Sequence, residues 1–474
     1  MYSLDDTIAA ISTPIGEGGI GMVRMTGPGA AQILSRLFLP GAVTVAPSPG
    51  SEARQKRAPG PASELLPYRL NYGHIVEPDS LQTVDEVLAV HMPAPRTYTR
   101  QDVVEINGHG GIVALQRILE LCLRSGARLA EPGEFTARAF LNGRLDLAQA
   151  EAVLDIVQAR TEKSLQAAVG QLAGHLSLRM RVVRDRLVGV LAYLEASIDF
   201  EEDEIPVRDI GPDLDEAMLE LSRLMQEAEQ GIIYRQGVRA AIVGRPNVGK
   251  SSLLNRLLRT SRAIVTEIPG TTRDTLEETL NLRGVPVVLV DTAGITPSTE
   301  DLIERLGVDR SREALSQADL ALLVLDASQP LAEADRAIAA LIGDKPAIVV
   351  LNKMDLIDAA PGAHRAILDG TSIPISALTG EGMCVLEDAM VDAVFEGKVT
   401  TSSTPVVTNP RHKQAIGQAQ DHVASARAGY CSGLPADLLA IDVSAAINVL
   451  GAITGQTASD DLLETIFGNF CIGK

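Results

Sequence analysis

With 474 residues, 46% of them hydrophobic, and a mean hydropathy of +0.13, the chain is long enough for two to four domains with real cores. A net charge of -19 and a pI near 4.9 exclude a protein that coats nucleic acid by bulk electrostatics. The lack of Trp, with 3% aromatic residues, excludes a base-stacking platform, so any RNA must meet a local patch or a partner's surface.

The first elements read as a strand at Ile8–Ile11, a turn at Gly16-Glu17-Gly18-Gly19 and a second strand over 20–25. Residues 41–67 are rich in Pro, Gly, Ala and Ser and carry Arg54, Lys56 and Arg57, the composition of a mobile insertion. Strands resume over 68–75, 86–90 and 103–106, giving an α+β domain over 1–126. Gly108, Gly110 and Gly111 open a helix over 113–123 without completing G-x-G-x-x-G, so no dinucleotide site is expected there. From Glu134 the pattern turns helical, over 137–141, 147–158, 164–178 and 182–198, the last with Leu187, Val190, Leu191, Leu194 and Ile198 on one face. The acidic run Glu201-Glu202-Asp203-Glu204 reads as a solvated helix end, and a further helix over 214–228 closes a first helical part, 127–236.

A nucleotide-binding domain over 237–397 follows. Gly244-Arg245-Pro246-Asn247-Val248-Gly249-Lys250-Ser251 fits G-x-x-x-x-G-K-[ST] between an apolar strand at 240–243 and a helix carrying Leu253, Leu254, Leu257 and Leu258. In that context the backbone of Asn247 to Ser252 (Asn247, Val248, Gly249, Lys250, Ser251, Ser252) wraps a polyphosphate. Lys250 reaches its terminal phosphates and Ser251 ligates magnesium. The loop Thr266-Glu267-Ile268-Pro269-Gly270-Thr271-Thr272 offers Thr272 as a second magnesium ligand, the role of a GTPase first switch. An apolar run at 285–290 ends in Asp291-Thr292-Ala293-Gly294, suited to hold the metal through water and to meet a γ-phosphate. Strand-length runs then lead into Asn352-Lys353-Met354-Asp355 and into Ser376-Ala377-Leu378. Asp355 can accept from the ring N–H and exocyclic amine of guanine, which adenine does not supply. GTP is therefore the expected nucleotide. Ile295 stands where Ras-like proteins have a water-orienting Gln, and the Asn247 amide oxygen can ligate a monovalent cation beside the phosphates.

Beyond the nucleotide domain, residues 398–474 return to helical periodicity at Leu438, Leu439, Val443, Ile447, Leu450, Leu462, Leu463 and Ile466, so the GTPase reads as an insertion in one helical domain. Cys122, Cys384, Cys431 and Cys471 form no C-x-x-C pair, which suits reduced thiols. The start lacks a basic n-region and no later run is read as approaching a membrane span, so a cytosolic chain without membrane contact is expected.

Five stretches resemble the tRNA-modification GTPase MnmE (TrmE) family, and the resemblance spans the chain. They are Asp6-Thr7-Ile8-Ala9-Ala10, Val23-Arg24-Met25-Thr26-Gly27, Asn107-Gly108-His109-Gly110-Gly111, Pro132-Gly133-Glu134-Phe135-Thr136-Ala137-Arg138-Ala139-Phe140-Leu141-Asn142 and Cys471-Ile472-Gly473-Lys474. The resemblance implies an N-terminal domain like those of folate-dependent aminomethyl transfer, which also mediates homodimerisation. It implies an MnmG-type FAD protein as partner in a heterotetramer, tRNA bound mostly through that partner, and a carboxymethylaminomethyl or aminomethyl group placed on wobble uridine. Formyl- or methylene-tetrahydrofolate would be held by Arg24, Glu105 and Arg144, the last being Lys in some members. The tail, with Lys474, would reach that site and Cys471 would take part in the chemistry. Potassium would sit on Asn247, Thr266, Ile268 and Thr271 in place of an arginine finger, and Glu304 would orient the attacking water. A regulatory assembly GTPase with binding modules as flanks is the alternative, though the flanks carry no basic, aromatic-rich surface.

Overall fold

The computed structural model describes residues 4–41, 65–200, 206–261, 278–290, 312–357, 367, 371–395 and 405–474. The chain divides into two compact units, 1–154 with 451–474, and 155–450.

The first unit is built on a seven-stranded sheet in the order β3-β4-β5-β6-β2-β1-β7. Its strands are Ile8–Ile11 (β1), Gly18–Thr26 (β2), Phe38–Pro40 (β3), Asn71–Val76 (β4), Thr83–Met92 (β5), Val103–Gly110 (β6) and Arg128–Leu129 (β7). Helices Ala30–Leu37 (α1) and Ile112–Arg124 (α2) bury Ile33, Leu34, Leu115 and Ile118 against Val23, Met25 and Ile106. Period-two alternation leaves Arg24 and Glu105 on the other face, and the antiparallel register of β2 and β6 sets them directly opposite. β6 runs on through Gly108 and Gly110, two of the glycines that the sequence reads as opening the helix, while Gly111 does open it as the N-cap of α2. A Cβ on Gly110 would lie 2.3 Å from the Gly18 carbonyl oxygen, so glycine there lets the two strands close.

Helix Glu134–Leu141 (α3) starts after Gly133, whose φ of 68° is left-handed. It is fastened by the fully buried Arg138, whose guanidinium donates to the Asp6 backbone carbonyl at 2.8 Å and to Glu134 Oε1 at 3.0 Å. Arg128 donates to the same Glu134 carboxylate at 2.6 and 3.1 Å and to Asp6 at 2.8 Å. Phe467 of the last helix, Asp460–Gly468 (α13), and Phe470 just beyond it pack on Ala137 of α3 and on Leu147 and Ala150 of Leu147–Gln158 (α4).

The second unit carries a six-stranded sheet in the order β13-β12-β11-β8-β10-β9. The strands are Val238–Val243 (β8), Glu278–Leu282 (β9), Val285–Val290 (β10), Leu320–Asp326 (β11), Ala347–Asn352 (β12) and Thr371–Pro374 (β13), with β9 alone antiparallel to its neighbour. Lys250–Ser261 (α8), Glu333–Ile342 (α9) and Met383–Val394 (α10) follow β8, β11 and β13. Hydrophobic clusters fill both faces, which is why β10 and β11 are unbroken apolar runs up to the terminal Asp326 rather than alternating ones. Helices Glu162–Leu172 (α5), His175–Asp199 (α6), Gly211–Gln236 (α7) and Pro410–Cys431 (α11) complete the unit, with Ala436–Thr454 (α12) running past its end.

Two expectations are corrected. The helix expected over 164–178 ends at Leu172, because Gly174 adopts a left-handed φ of 88° and a new helix begins at His175. A run of membrane-span length does exist: α12 has 19 residues and a mean hydropathy of 1.7, although it buries Leu439, Val443, Ala446 and Leu450 and contains Asp437 and Asp442.

Candidate functional site

Phosphate and base loops all lie at the carboxyl ends of parallel strands, where an open α/β sheet leaves its crevice. β8 delivers Gly244 to Gly249 to the start of α8. Three of these residues take left-handed backbone, Gly244 at φ 150°, Asn247 at 64° and Gly249 at 97°. Gly249 tolerates no side chain: a Cβ would sit 2.1 Å from Asn352 Nδ2. Lys250 folds back over the loop, its ammonium donating to the carbonyls of Gly244 and Arg245, each at 2.7 Å, and burial pushes its pKa down. Ser251 and Ser252 follow in the first turn of α8, both exposed residues.

Asn352, at the end of β12 and almost fully buried, is the junction. Its amide donates to the Val248 carbonyl at 2.9 Å and its oxygen accepts from the Ala377 N–H at 3.0 Å, so one side chain ties the phosphate loop to the Ser376-Ala377 loop. Lys353, at φ 66°, pairs with Asp326 at 2.6 Å. Burial alone would raise the Asp326 carboxyl, but hydrogen bonds from Lys353 and Ser328 outweigh it and hold the group below its ordinary range. Asp355 sits on the one-turn helix Met354–Leu356 with an exposed carboxylate whose Oδ1 accepts from the Ser376 hydroxyl at 2.6 Å. The structure thus brings Val248, Gly249, Asn352, Lys353, Asp355, Ser376 and Ala377 together.

Thr266, Glu267, Ile268, Pro269, Gly270, Thr271, Thr272, Asp291, Thr292, Ala293, Gly294 and Glu304 lie outside the described residues. Three residues that the sequence does not single out hold the site. Asp326 closes β11. Arg256 on α8 donates to the carbonyls of Ala377 and Leu378, and Arg245 pairs at 2.7 Å with the buried Asp335 of α9. An acid ending the apolar run 320–325 was a visible signal for Asp326; nothing in spacing marks the two arginines.

A second polar cluster lies in the first unit. Arg24 Nε and Nη2 reach Glu105 Oε1 at 3.0 and 2.9 Å, and Arg24 Nη1 donates to the Gly473 carbonyl at 3.4 Å, which also accepts from Ser12 at 3.1 Å. Gly473 needs its φ of 94°, for the tail runs hard against Ile11 and Ser12. The Arg24 guanidinium stands 6.0 Å from the Phe135 ring and that of Arg144 stands 4.8 Å from the Tyr98 ring. Burial pushes the Tyr98 hydroxyl up, against the opposing effects of the Thr136 hydroxyl at 2.9 Å and of Arg144 and Arg24. Burial, and next Arg24, lower the pKa of Lys474, while nearby Cys471 works the other way. Cys471 is exposed. Two guanidinium groups, a carboxylate and the half-buried Tyr98 ring suit a flat heteroaromatic with an anionic arm, whereas the Phe135 ring is fully buried in the core. Sequence reasoning missed Tyr98; Phe135 was inside a stretch it had marked.

Residues 7–144 match the family model described as GTP-binding protein TrmE N-terminus, and residues 147–471 that described as MnmE helical domain. The tRNA modification GTPase MnmE of Roseiflexus castenholzii is 50% identical over 488 residues, covering 100% of both chains. That of Carboxydothermus hydrogenoformans is 46% identical over 477 residues, covering 99% of this chain and 100% of the other. Among solved structures, the G domain of the T. maritima FeoB iron transporter is 27% identical, covers 33% of this chain and 98% of that chain, and superposes with a TM-score of 0.25.

Proposed function

The chain belongs to the MnmE family of tRNA modification GTPases, and on that premise we propose that it is a potassium-activated GTPase of wobble-uridine modification. With an MnmG-like flavoprotein it adds a carboxymethylaminomethyl or aminomethyl group to certain tRNAs in the cytoplasm. It works as a homodimer, organised as a folate and dimerisation domain over 1–126, a GTPase domain over 237–397, and helical parts over 127–236 and 398–474.

The observation that carries the guanine reading is Asp355, held by Ser376 with its carboxylate exposed beside Asn352. The potassium reading rests on an amide-bearing residue at this position of the phosphate loop, Asn247, which is exposed and holds a left-handed φ of 64°. Ser251, with Thr272, would hold magnesium; Asn247, Thr266, Ile268 and Thr271 would hold potassium, and Glu304 would orient water. The cluster of Arg24, Glu105, Arg144 and Tyr98 fits tetrahydrofolate, which when bound supplies the one-carbon unit. Arg24 and Arg144 would there anchor negative charge, with the tail, Cys471 and Lys474 included, tied to Arg24 through the Gly473 carbonyl.

GTP turnover should be slow in sodium and faster in potassium by a factor of about a thousand, the worth of a charge placed on a developing phosphoryl transition state. Asn247→Ala should abolish the difference while nucleotide binding persists. Equal rates in the two salts would remove the potassium reading. Nucleoside analysis of wobble uridines in cells lacking the protein separates the enzyme from the assembly GTPase: an unchanged profile favours the latter.

A further inference from the structure

The hairpin of β9 and β10 joins the loop that the sequence reads as a first switch, 266–272, to the one it reads as meeting the γ-phosphate, 291–294, both outside the described residues. Besides apolar packing on Tyr234 of α7, it makes two specific hydrogen bonds to the helical part of the unit. Arg160, at the corner between α4 and α5, donates to the Thr279 hydroxyl at 3.1 Å, and Thr279 is buried near the start of β9. At the other end, Thr161 donates its hydroxyl proton to the Gly284 carbonyl at 2.8 Å, in the turn of the hairpin.

The Thr161 oxygen is at the same time the N-cap of α5, accepting from the Ser164 N–H, while Ser164 completes the reciprocal capping box. One hydroxyl therefore fixes both the helix start and the hairpin. Gly284 has a φ of 90° and its missing Cβ would lie 2.5 Å from Lys163 Cδ, so the side chain of the next turn lies across the hairpin tip. Lys163 then reaches over the Tyr234 ring, 5.1 Å away. Behind the corner is a cavity of about 30 Å³ lined in part by Asp155, Ser164, Ala167, Ala168, Arg235 and Thr408. A close-packed interior transmits displacement rigidly. On the nucleotide side, β10 is bonded in parallel to β8, the strand that delivers the phosphate loop.

We propose that Arg160 and Thr161 are positioning residues for GTP hydrolysis: they clamp both ends of β9 from the helical side and so couple the start of α5 to the nucleotide state. They touch neither nucleotide nor metal and act through the register of the hairpin. The inference rests on the family's GTPase activity and is independent of the potassium reading.

The test uses the full chain with Thr161→Val, Thr161→Ser and Arg160→Ala. Steady-state kcat and KM, affinity for a non-hydrolysable GTP analogue, Tm and hydrogen exchange are measured. Thr161→Val and Arg160→Ala should lower kcat about three- to thirty-fold, the range of mutations that alter coupling between sites. Analogue affinity should stay within about twofold, and Thr161→Ser, which keeps the hydroxyl, should restore turnover. The amides of the first turn of α5, Leu165 included, should exchange differently with GDP and with the analogue in the unmodified chain and alike in Thr161→Val. The proposal is overturned if kcat stays within twofold in both variants, or if it falls with Tm and is not rescued by Ser. Exchange insensitive to nucleotide in the unmodified chain overturns it as well, and none of these results bears on the response to potassium.

Discussion

Asp355 is one carboxylate with one fixed neighbour. Ser376 fills one lone pair and sets the orientation, so the charge remaining toward solvent is what a guanine edge would meet. Asp355→Asn replaces that acceptor by a donor and should weaken GTP about ten- to a hundred-fold, a loss of about 1.5 to 3 kcal/mol, while improving xanthosine nucleotides. Competition titrations read both, and unchanged GTP affinity would sink the assignment. Asp326 works one step back, through Lys353. Its folded pKa is depressed below the ordinary 3.8, so its stabilising contribution is fully present above that value and disappears as pH falls through the folded pKa. Asp326→Asn should cost about 1 to 3 kcal/mol in urea unfolding near neutral pH. The gap should hold steady from about pH 5 to 8 and close only in acid, below the unfolded carboxylate's range. A gap that opened in acid would reverse the sign argued here.

At the scale of elements, α3 is held by charge inside a core. Arg138 and Glu134 are fully buried and four residues apart on one helix, and Asp6 and Arg128 complete the set. A buried carboxylate robbed of its partner keeps the desolvation penalty without the compensation. Arg138→Leu should therefore cost about 3 kcal/mol, measured as a shift in the urea midpoint of the full chain, even though Leu is the better core residue by hydropathy. A loss below about 1 kcal/mol would mean that Arg128 alone satisfies Glu134. The same network explains why the Asp6 and Glu134-to-Arg138 stretches, far apart in sequence, both stand out: they are two halves of one joint that places Phe135 beside Arg24. Helix boundaries were the least legible elements. The break at Gly174 turns on a backbone conformation that hydrophobic periodicity does not register, since apolar residues recur at helical spacing on both sides of it.

On the scale of the whole molecule, the strand-loop-helix order of the nucleotide half could be read directly, because the chemistry is local. The phosphate loop needs glycines, a lysine and a helix start within eight consecutive residues, and the guanine reader needs four. Arg24, Glu105 and Arg144 were singled out only by family resemblance, since nothing local distinguishes a surface arginine or glutamate from any other. What the sequence by itself determined is the set of buried parallel strands, their loops and the nucleotide they suit: burial pattern and backbone conformation are written residue by residue. Only the tertiary structure decided which distant side chains share a joint. Asn352 bridges Val248 and Ala377, the tail at Gly473 meets Arg24, and Thr161 grips Gly284. A hydrogen bond between residues 25 to more than four hundred positions apart depends on how layers pack and registers align, and no short window of sequence carries that information.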